Sequence, residues 1–219
     1  MNKYFLVVVF SVFTSSIFAQ YGNRDGNRIG ISGGISQSNL FTSNFDSKPG
    51  IGFAGGLSVR GNYYNDFSMI FGMQFFYNTF SLETTSVSLA KKDTEFSLSG
   101  AQVRLLLSYN IVKDHVSLDF GPVLQVNGKM SVQEADETNI INGTLLQAKQ
   151  IVDVTKINGN LYFGVSAGNR IVRAVVFYQY GVNNILNNLN KENSLKTLNG
   201  GDDFKGNLGT VSAQVLFNL

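Results

Sequence analysis

The sequence predicts an all-β protein, an eight-stranded antiparallel up-and-down barrel that crosses a membrane with its strands. Three observations carry this reading. Apolar and polar residues alternate with period two in eight separate stretches, and the connections between those stretches alternate long and short. Charge is also scarce without the chain being hydrophobic on average. Of 219 residues only 15% are charged, while 23 are Gly and 18 are Phe; soluble domains carry roughly 25% charge. Mean hydropathy is nevertheless only +0.03, as expected when apolar and polar faces average out along strands rather than clustering in apolar blocks.

Residues 1–19 have the form of a secretory signal peptide. Lys3 precedes an apolar run over residues 4–13, and the small Ala19 sits before Gln20, which places the expected cleavage near Ala19/Gln20. The run is shorter than the roughly 20 residues a spanning helix needs. With no Cys in the chain, disulfides, thiol catalysis, Cys-based metal sites and a lipid-anchored cysteine at the cut are all excluded. Residues 20–219 then form one domain, expected in the outer membrane of a diderm bacterium. The formal net charge of +2 singles out no partner by itself, and no basic cluster marks a nucleic-acid partner.

The strands follow in order. Ile29, Ile31, Gly33 and Ile35 alternate with Gly30, Ser32, Gly34 and Ser36. Ile51, Phe53, Gly55, Leu57 and Val59 form the apolar face of the second stretch, which ends on Arg60. The third sets Phe67, Met69, Phe71, Met73, Phe75 and Tyr77 against Ser68, Gly72, Gln74 and Asn78. Ala101, Val103, Leu105, Leu107 and Tyr109 oppose Gln102, Arg104 and Ser108 in the fourth. In the fifth, Val116, Leu118, Phe120, Pro122, Leu124 and Val126 oppose Ser117, Asp119, Gly121, Gln125 and Asn127. Leu161, Phe163, Val165 and Ala167 oppose Asn160, Gly164, Ser166 and Gly168 in the sixth. The seventh, residues 171–180, is apolar on both faces apart from Arg173 and Gln179. The eighth ends the chain, with Val211, Ala213, Val215, Phe217 and Leu219 against Thr210, Ser212 and Gln214.

Long connections are expected over residues 38–50, 83–95, 128–156 and 181–205, and short ones near residues 64–66, 110–115 and 168–170. Short periplasmic turns and longer outer loops are the asymmetry of a transmembrane barrel. In lipid every backbone N–H and C=O must pair within the protein, so the sheet must close. A soluble lipocalin-like barrel would alternate as well, with its apolar face inward. The membrane is preferred because the second face consists of small and polar residues with few charges, where a soluble surface would show many Lys and Glu. Two aromatic belts agree: Tyr63, Phe67, Tyr109 and Phe217 near the short turns, and Tyr77, Phe96, Tyr178 and Tyr180 near the long loops.

Several segments carry a resemblance. The end of the leader (Phe18-Ala19-Gln20), "RIGISGGIS", "KPGIGFAGGLSV", the aromatic third strand and "FYQYGVNNI" together resemble the PorT-like outer-membrane β-barrel domain family. The resemblance implies an eight-stranded outer-membrane barrel and, for a few members, a part in a type IX secretion apparatus. The last strand is similar to the assembly signal that the barrel-assembly machinery reads during biogenesis, carried here by Val215, Phe217 and Leu219. Leu219 departs from the terminal aromatic typical of that signal.

Motifs for chemistry are few. Residues 50–55 match G-x-G-x-x-G, but the run continues as a strand instead of opening a helix, so glycines in a narrow barrel explain it. His115 is the single histidine and falls in a short turn beside Lys113 and Asp114, without a nucleophile to serve. Glu134, Asp136 and Glu137, and the pair Asp202-Asp203, read as solvated loop charge. The sequon at Asn142 has no meaning in a bacterium. Arg60, Arg104 and Asp119 lie on the lumen face, with Arg173 as a further member, and are expected to form an ion-pair network that blocks permeation. No catalytic, cofactor or metal residues are assigned. The expectation is therefore a non-enzymatic platform in outer-membrane lipid that meets other envelope proteins through its loops. The alternatives are a subunit of a secretion machine and, more remotely, a narrow pore or a lipid-acting barrel enzyme.

Overall fold

The computed structural model describes residues 28–219. The expected signal peptide over residues 1–19 and its cleavage near Ala19/Gln20 lie outside the described residues. The strands, in chain order, are β1 (Arg28–Thr42), β2 (Ser47–Tyr64), β3 (Phe67–Thr85), β4 (Lys91–Val112), β5 (Val116–Val132), β6 (Ile140–Ile141), β7 (Ile157–Gly168), β8 (Val172–Gly181) and β9 (Gly206–Asn218). All pairings are antiparallel, and β5 pairs with β7 past the two-residue β6, which adds to β3 at Thr84 and Thr85. β9 pairs with β1 from Gly30↔Asn218 to Thr42↔Gly206, so the eight long strands close into a ring. Closure leaves none of these strands with an unpaired edge, the condition a sheet must meet in lipid.

Alternation decides which side chains face out. Ile35, Phe53, Phe75, Leu161 and Phe163 are more than half exposed, whereas Ser32, Gln74, Gln102 and Asn160 on the intervening positions are buried. The outward positions of residues 29–35, 51–59, 67–77, 101–111, 116–126, 157–167, 172–180 and 209–217 include no Asp, Glu, Lys or Arg. The barrel therefore carries an uncharged, largely apolar belt around its whole circumference. Among the described residues no helix is long and apolar enough to cross a membrane.

Two expected loops are strand. Residues 38–50 and 83–95 continue the pairing, leaving only residues 43–46 and 86–90 between strands. β4 runs for 22 residues, about twice the ~9–11 that a tilted strand needs to span hydrocarbon. These extensions stay paired because their inward faces are apolar: Leu40, Phe80, Leu82, Phe96 and Leu98 are fully or almost fully buried. Phe96 is thus a core residue stacked on Phe80 at 5.9 Å, not a member of the outer aromatic belt. It shares the inward parity of Gln102 and Arg104 on β4.

The interior is also more apolar than its Gly, Ser and Gln content suggests. The connections over residues 133–156 and 182–205 fold over the loop end of the barrel as a cap that includes the short helix α1 (Asn193–Leu198). Ile141, Leu146, Ile151, Leu186, Leu189 and Phe204 from these segments join the strand residues above in one buried core. A second cluster lies lower in the lumen and comprises Ile70, Leu106, Val123, Tyr162, Val175, Phe177 and Leu216. An eight-stranded barrel is just wide enough for side chains to fill. Filling it with apolar groups at two levels avoids the cost of a fully polar dry interior.

Candidate functional site

The lumen is built in layers, and its polar layers hold Arg60, Arg104, Asp119 and Arg173. At the turn end lies a mouth of about 220 Å³ lined by Arg28, Arg60, Asp66, Lys113, Asp114 and Arg173, among others. Asp114 sits in the β4–β5 turn with φ 63°. Its carboxylate accepts from Arg28 Nη2 and Arg170 Nη2, both at 2.7 Å. Chiefly the Arg28 hydrogen bond, with Arg170 in support, holds its pKa down at about 2. The turn end is thereby tied together across the β4–β5 turn, the β7–β8 turn and the start of β1.

Above the mouth comes an arginine layer. Asp119 on β5 accepts from Ser108, from Ser117 at 3.1 Å and from Arg60 Nη2 at 3.4 Å. Arg60 on β2 also donates to Ser108 at 2.7 Å. Arg173 on β8 donates to the Ser166 hydroxyl at 3.0 Å, to the Ser166 carbonyl at 3.2 Å and to the Asp114 carbonyl at 3.0 Å. Ser117 and Ser166 are 2.7 Å apart, so one hydroxyl bridge links the Asp119 and Arg173 ends of the network.

Arg104 on β4 belongs to the same layer but pairs differently. It makes no ion pair among the described residues; its guanidinium carbon lies 5.9 Å from the centre of the Tyr162 ring. Its Nε and Nη1 are buried without a hydrogen-bond partner. Gly72 stands directly opposite on β3, and a Cβ there would lie 2.7 Å from Arg104 Nε, so a side chain at 72 would push the flexible Arg104 head aside. Of the four residues named from the sequence, Arg60, Asp119 and Arg173 share one hydrogen-bonded network, and Arg104 stands beside it. Sequence reading missed Ser108, Ser117, Ser166 and Tyr162 as members, although all four have inward parity in their strands. It also missed Arg28 and Asp114, whose pairing depends on ring closure.

Further up, five glutamines form a belt. Gln74 donates to Gln214 at 2.7 Å, Gln102 to Gln74 at 3.0 Å, and Gln179 to Gln102 at 3.0 Å and to Gln125 at 3.2 Å. Asn160 donates to Gln125 at 2.8 Å, Gln125 to Asn127 at 2.7 Å, and Asn127 to Asn158 at 2.7 Å. The chain of amides crosses the lumen from β9 to β7 and consumes its own donors and acceptors. The apolar core shared with the cap lies above this belt.

The remaining candidates have structural surroundings. His115 is exposed, with Nδ1 2.9 Å from the Lys113 carbonyl. Asp136 is buried against Lys92 Nζ at 2.7 Å and Asn139 at 3.1 Å, and Asp203 pairs with Lys196 at 2.6 Å. That hydrogen bond lowers the Asp203 pKa. Among the described residues no group of three or more His, Cys, Asp or Glu could hold a metal ion. Residues 50–55 run within β2, with no helix following. Val215, Phe217 and Leu219 all point outward, and the Leu219 N–H donates to the Ile29 carbonyl at 2.8 Å, so these residues form one side of the β9–β1 seam.

No family model matches the sequence, and no curated protein matches it. Among solved structures the chain is similar to Neisserial surface protein A, with 15% identity over 88% of this chain and 98% of that one and a TM-score of 0.48. It is also similar to Ail, the attachment invasion locus protein of Yersinia pestis, with 13% identity over 89% of this chain and 99% of that one and a TM-score of 0.44. A third similarity is to the outer membrane protein OprG from Pseudomonas aeruginosa, at 6% identity over 89% of this chain and 97% of that one, with a TM-score of 0.44.

Proposed function

We propose that this protein is a non-enzymatic integral barrel of the outer membrane of a diderm bacterium, with a closed lumen and a folded loop cap that serves as a contact surface for other envelope proteins. The observation that carries the reading is the uncharged outward belt on a ring without free edges. Soluble monomers rarely expose apolar patches beyond a few hundred Å², whereas hydrocarbon demands such a belt. The short turns and both strand ends of the β1–β9 seam then face the periplasm, and the cap faces outward. Val215, Phe217 and Leu219 would present the assembly signal before the seam closes.

Fractionation tests the membrane assignment directly. The protein is expected to stay with the outer membrane through a carbonate wash and to migrate as a compact, heat-modifiable band; release into the supernatant would reject it. For the closed lumen, planar-bilayer recordings should show no steady open-channel current. The platform role predicts partners captured by crosslinking that are lost when residues 182–205 are replaced by a short turn in a barrel that still assembles. The secretion-machine role rests on the PorT-like resemblance alone, and normal secretion in a deletion strain would remove it.

A further inference from the structure

We propose that the arginine layer contains a binding site for one small monovalent anion of chloride's size, held by Arg104 and reached from the turn end of the barrel. This goes beyond a closed platform, because it gives the blocked lumen a ligand.

Charge makes the first part of the case. The inward-facing ionic groups of this layer are Arg60, Arg104 and Arg173 against the single carboxylate of Asp119. Arginine does not escape by losing its proton, since the guanidinium stays charged in proteins. A buried charge without a counter-charge costs several kcal/mol. Asp119 does not settle the account, because Arg60, Ser108 and Ser117 already occupy it. In the mouth below, Asp66 and Asp114 face Arg28 and Lys113, and Arg170 also pairs with Asp114, so the mouth has no carboxylate to spare for the layer above.

Geometry makes the second part. Arg104 is 5% exposed, and two of its guanidinium nitrogens have no acceptor within the protein. It lines a recess of about 20 Å³ together with Arg60, Asp119, Tyr162 and Ser166, walled by Ile70, Leu106, Val175 and Leu216. That volume holds roughly one or two water-sized species. The polar side of the recess carries the Arg60 and Arg104 guanidiniums, with the Asp119 carboxylate already engaged by Arg60, Ser108 and Ser117, and its other side is hydrocarbon. Such a lining suits a weakly hydrated spherical anion, which needs positive charge and N–H or O–H donors but presents none of its own. A phosphate or sulfate is too large for the recess and would be confined to the mouth. Arg60 lines both cavities and so stands between the entrance and the site. Gly72 fits the same picture, because it leaves room for the Arg104 side chain beside the lumen wall.

The experiment uses the purified, folded barrel in detergent. Thermal unfolding is followed in sodium chloride, bromide, sulfate and gluconate at matched ionic strength, and crystals soaked in bromide are examined for anomalous scattering. Chloride and bromide are expected to raise the unfolding temperature above its value in gluconate, with sulfate giving no comparable rise. A bromide peak is expected within hydrogen-bonding distance of Arg104. Arg104→Met should weaken the halide effect at least about tenfold in concentration, as the loss of a charged hydrogen bond does. Identical unfolding in chloride and gluconate would overturn the proposal. So would a bromide peak confined to the surface, or a halide effect that survives in Arg104→Met. Should that variant not fold, the wild-type bromide map alone decides the question.

Discussion

The glutamine belt and the arginine layer lie at neighbouring heights in the same lumen, and both are buried, polar and contributed by several strands. They differ in saturation. The amides of Gln74, Gln102, Gln125, Gln179 and Gln214 leave no buried nitrogen or oxygen without a partner. In the arginine layer Arg104 Nε, Arg104 Nη1 and Arg173 Nε are left over. A neutral network that satisfies itself needs nothing from outside, and its role ends with closing and rigidifying the barrel. A cationic layer with surplus donors is incomplete without a counter-ion. Saturation therefore separates the part of the lumen that is structure from the part suited to a ligand.

The comparison breaks most sharply at Asp119. Among the described residues it is the only carboxylate in the arginine layer, and Asp119→Asn would leave three guanidiniums without a counter-charge. Removing one partner of a buried pair costs about 3–5 kcal/mol. Urea unfolding of the barrel in lipid should show a loss of that size; a change below about 1 kcal/mol would mean that solvent, not Asp119, compensates the layer. A smaller effect is expected in the belt. Gln102→Leu removes the donor to Gln74 and one acceptor of Gln179. Stranding such groups costs about 1–3 kcal/mol. No loss of stability in that variant would show that the belt is not the closed network its geometry describes.

Much of this was legible from residue order. Period two placed Ile35, Phe53, Phe75 and Phe163 outward and Gln102, Arg104 and Asp119 inward, because in a strand a side chain's face is set by parity alone. The same parity would have placed Phe96 inside, had it been followed past the polar stretch that precedes it. Height within the barrel was not legible. Register sets Gln74 opposite Gln102 and Gln102 opposite Gln125, while Gln179 and Gln214 reach them across the closed ring, and nothing in their spacing announces it. The polar run around Thr84 and Lys92 looked like loop, since outside hydrocarbon a paired hairpin needs no outward apolar face. What betrayed it was the inward series Phe80, Leu82, Phe96 and Leu98, which finds its partners in Ile141 and Phe204 of the distant cap.

Arg104 tests the comparison from the opposite side. Taking a member from a saturated network should hurt, whereas taking a surplus cation from an unsaturated one should not. Arg104→Met keeps a long, flexible side chain beside Gly72 and removes the charge. Apolar replacement of a buried ionic group is often neutral or stabilising, so unfolding in gluconate should shift by no more than about 1 kcal/mol, and upward. A clear loss of stability in gluconate would place Arg104 among the structural residues and erase the difference between the two layers.

The smallest effect belongs to the turn end, where Asp114 binds Arg28 and Arg170 at the edge of solvent. An exposed carboxylate titrates near 3.9, and in the folded barrel the arginines hold Asp114 at about 2. Because the folded value is the lower one, the ionised aspartate stabilises the barrel fully above about pH 4. The contribution fades as the pH falls and is gone below about 2. Asp114→Asn should therefore unfold slightly more readily than wild type at neutral pH, with the difference closing between about pH 4 and pH 2. The pairs are partly solvated, so added salt should shrink the difference as well. Asn tolerates the left-handed backbone at residue 114 as well as Asp does, so a gap that persisted unchanged at pH 2 would show that the effect of the substitution does not come from the carboxylate charge.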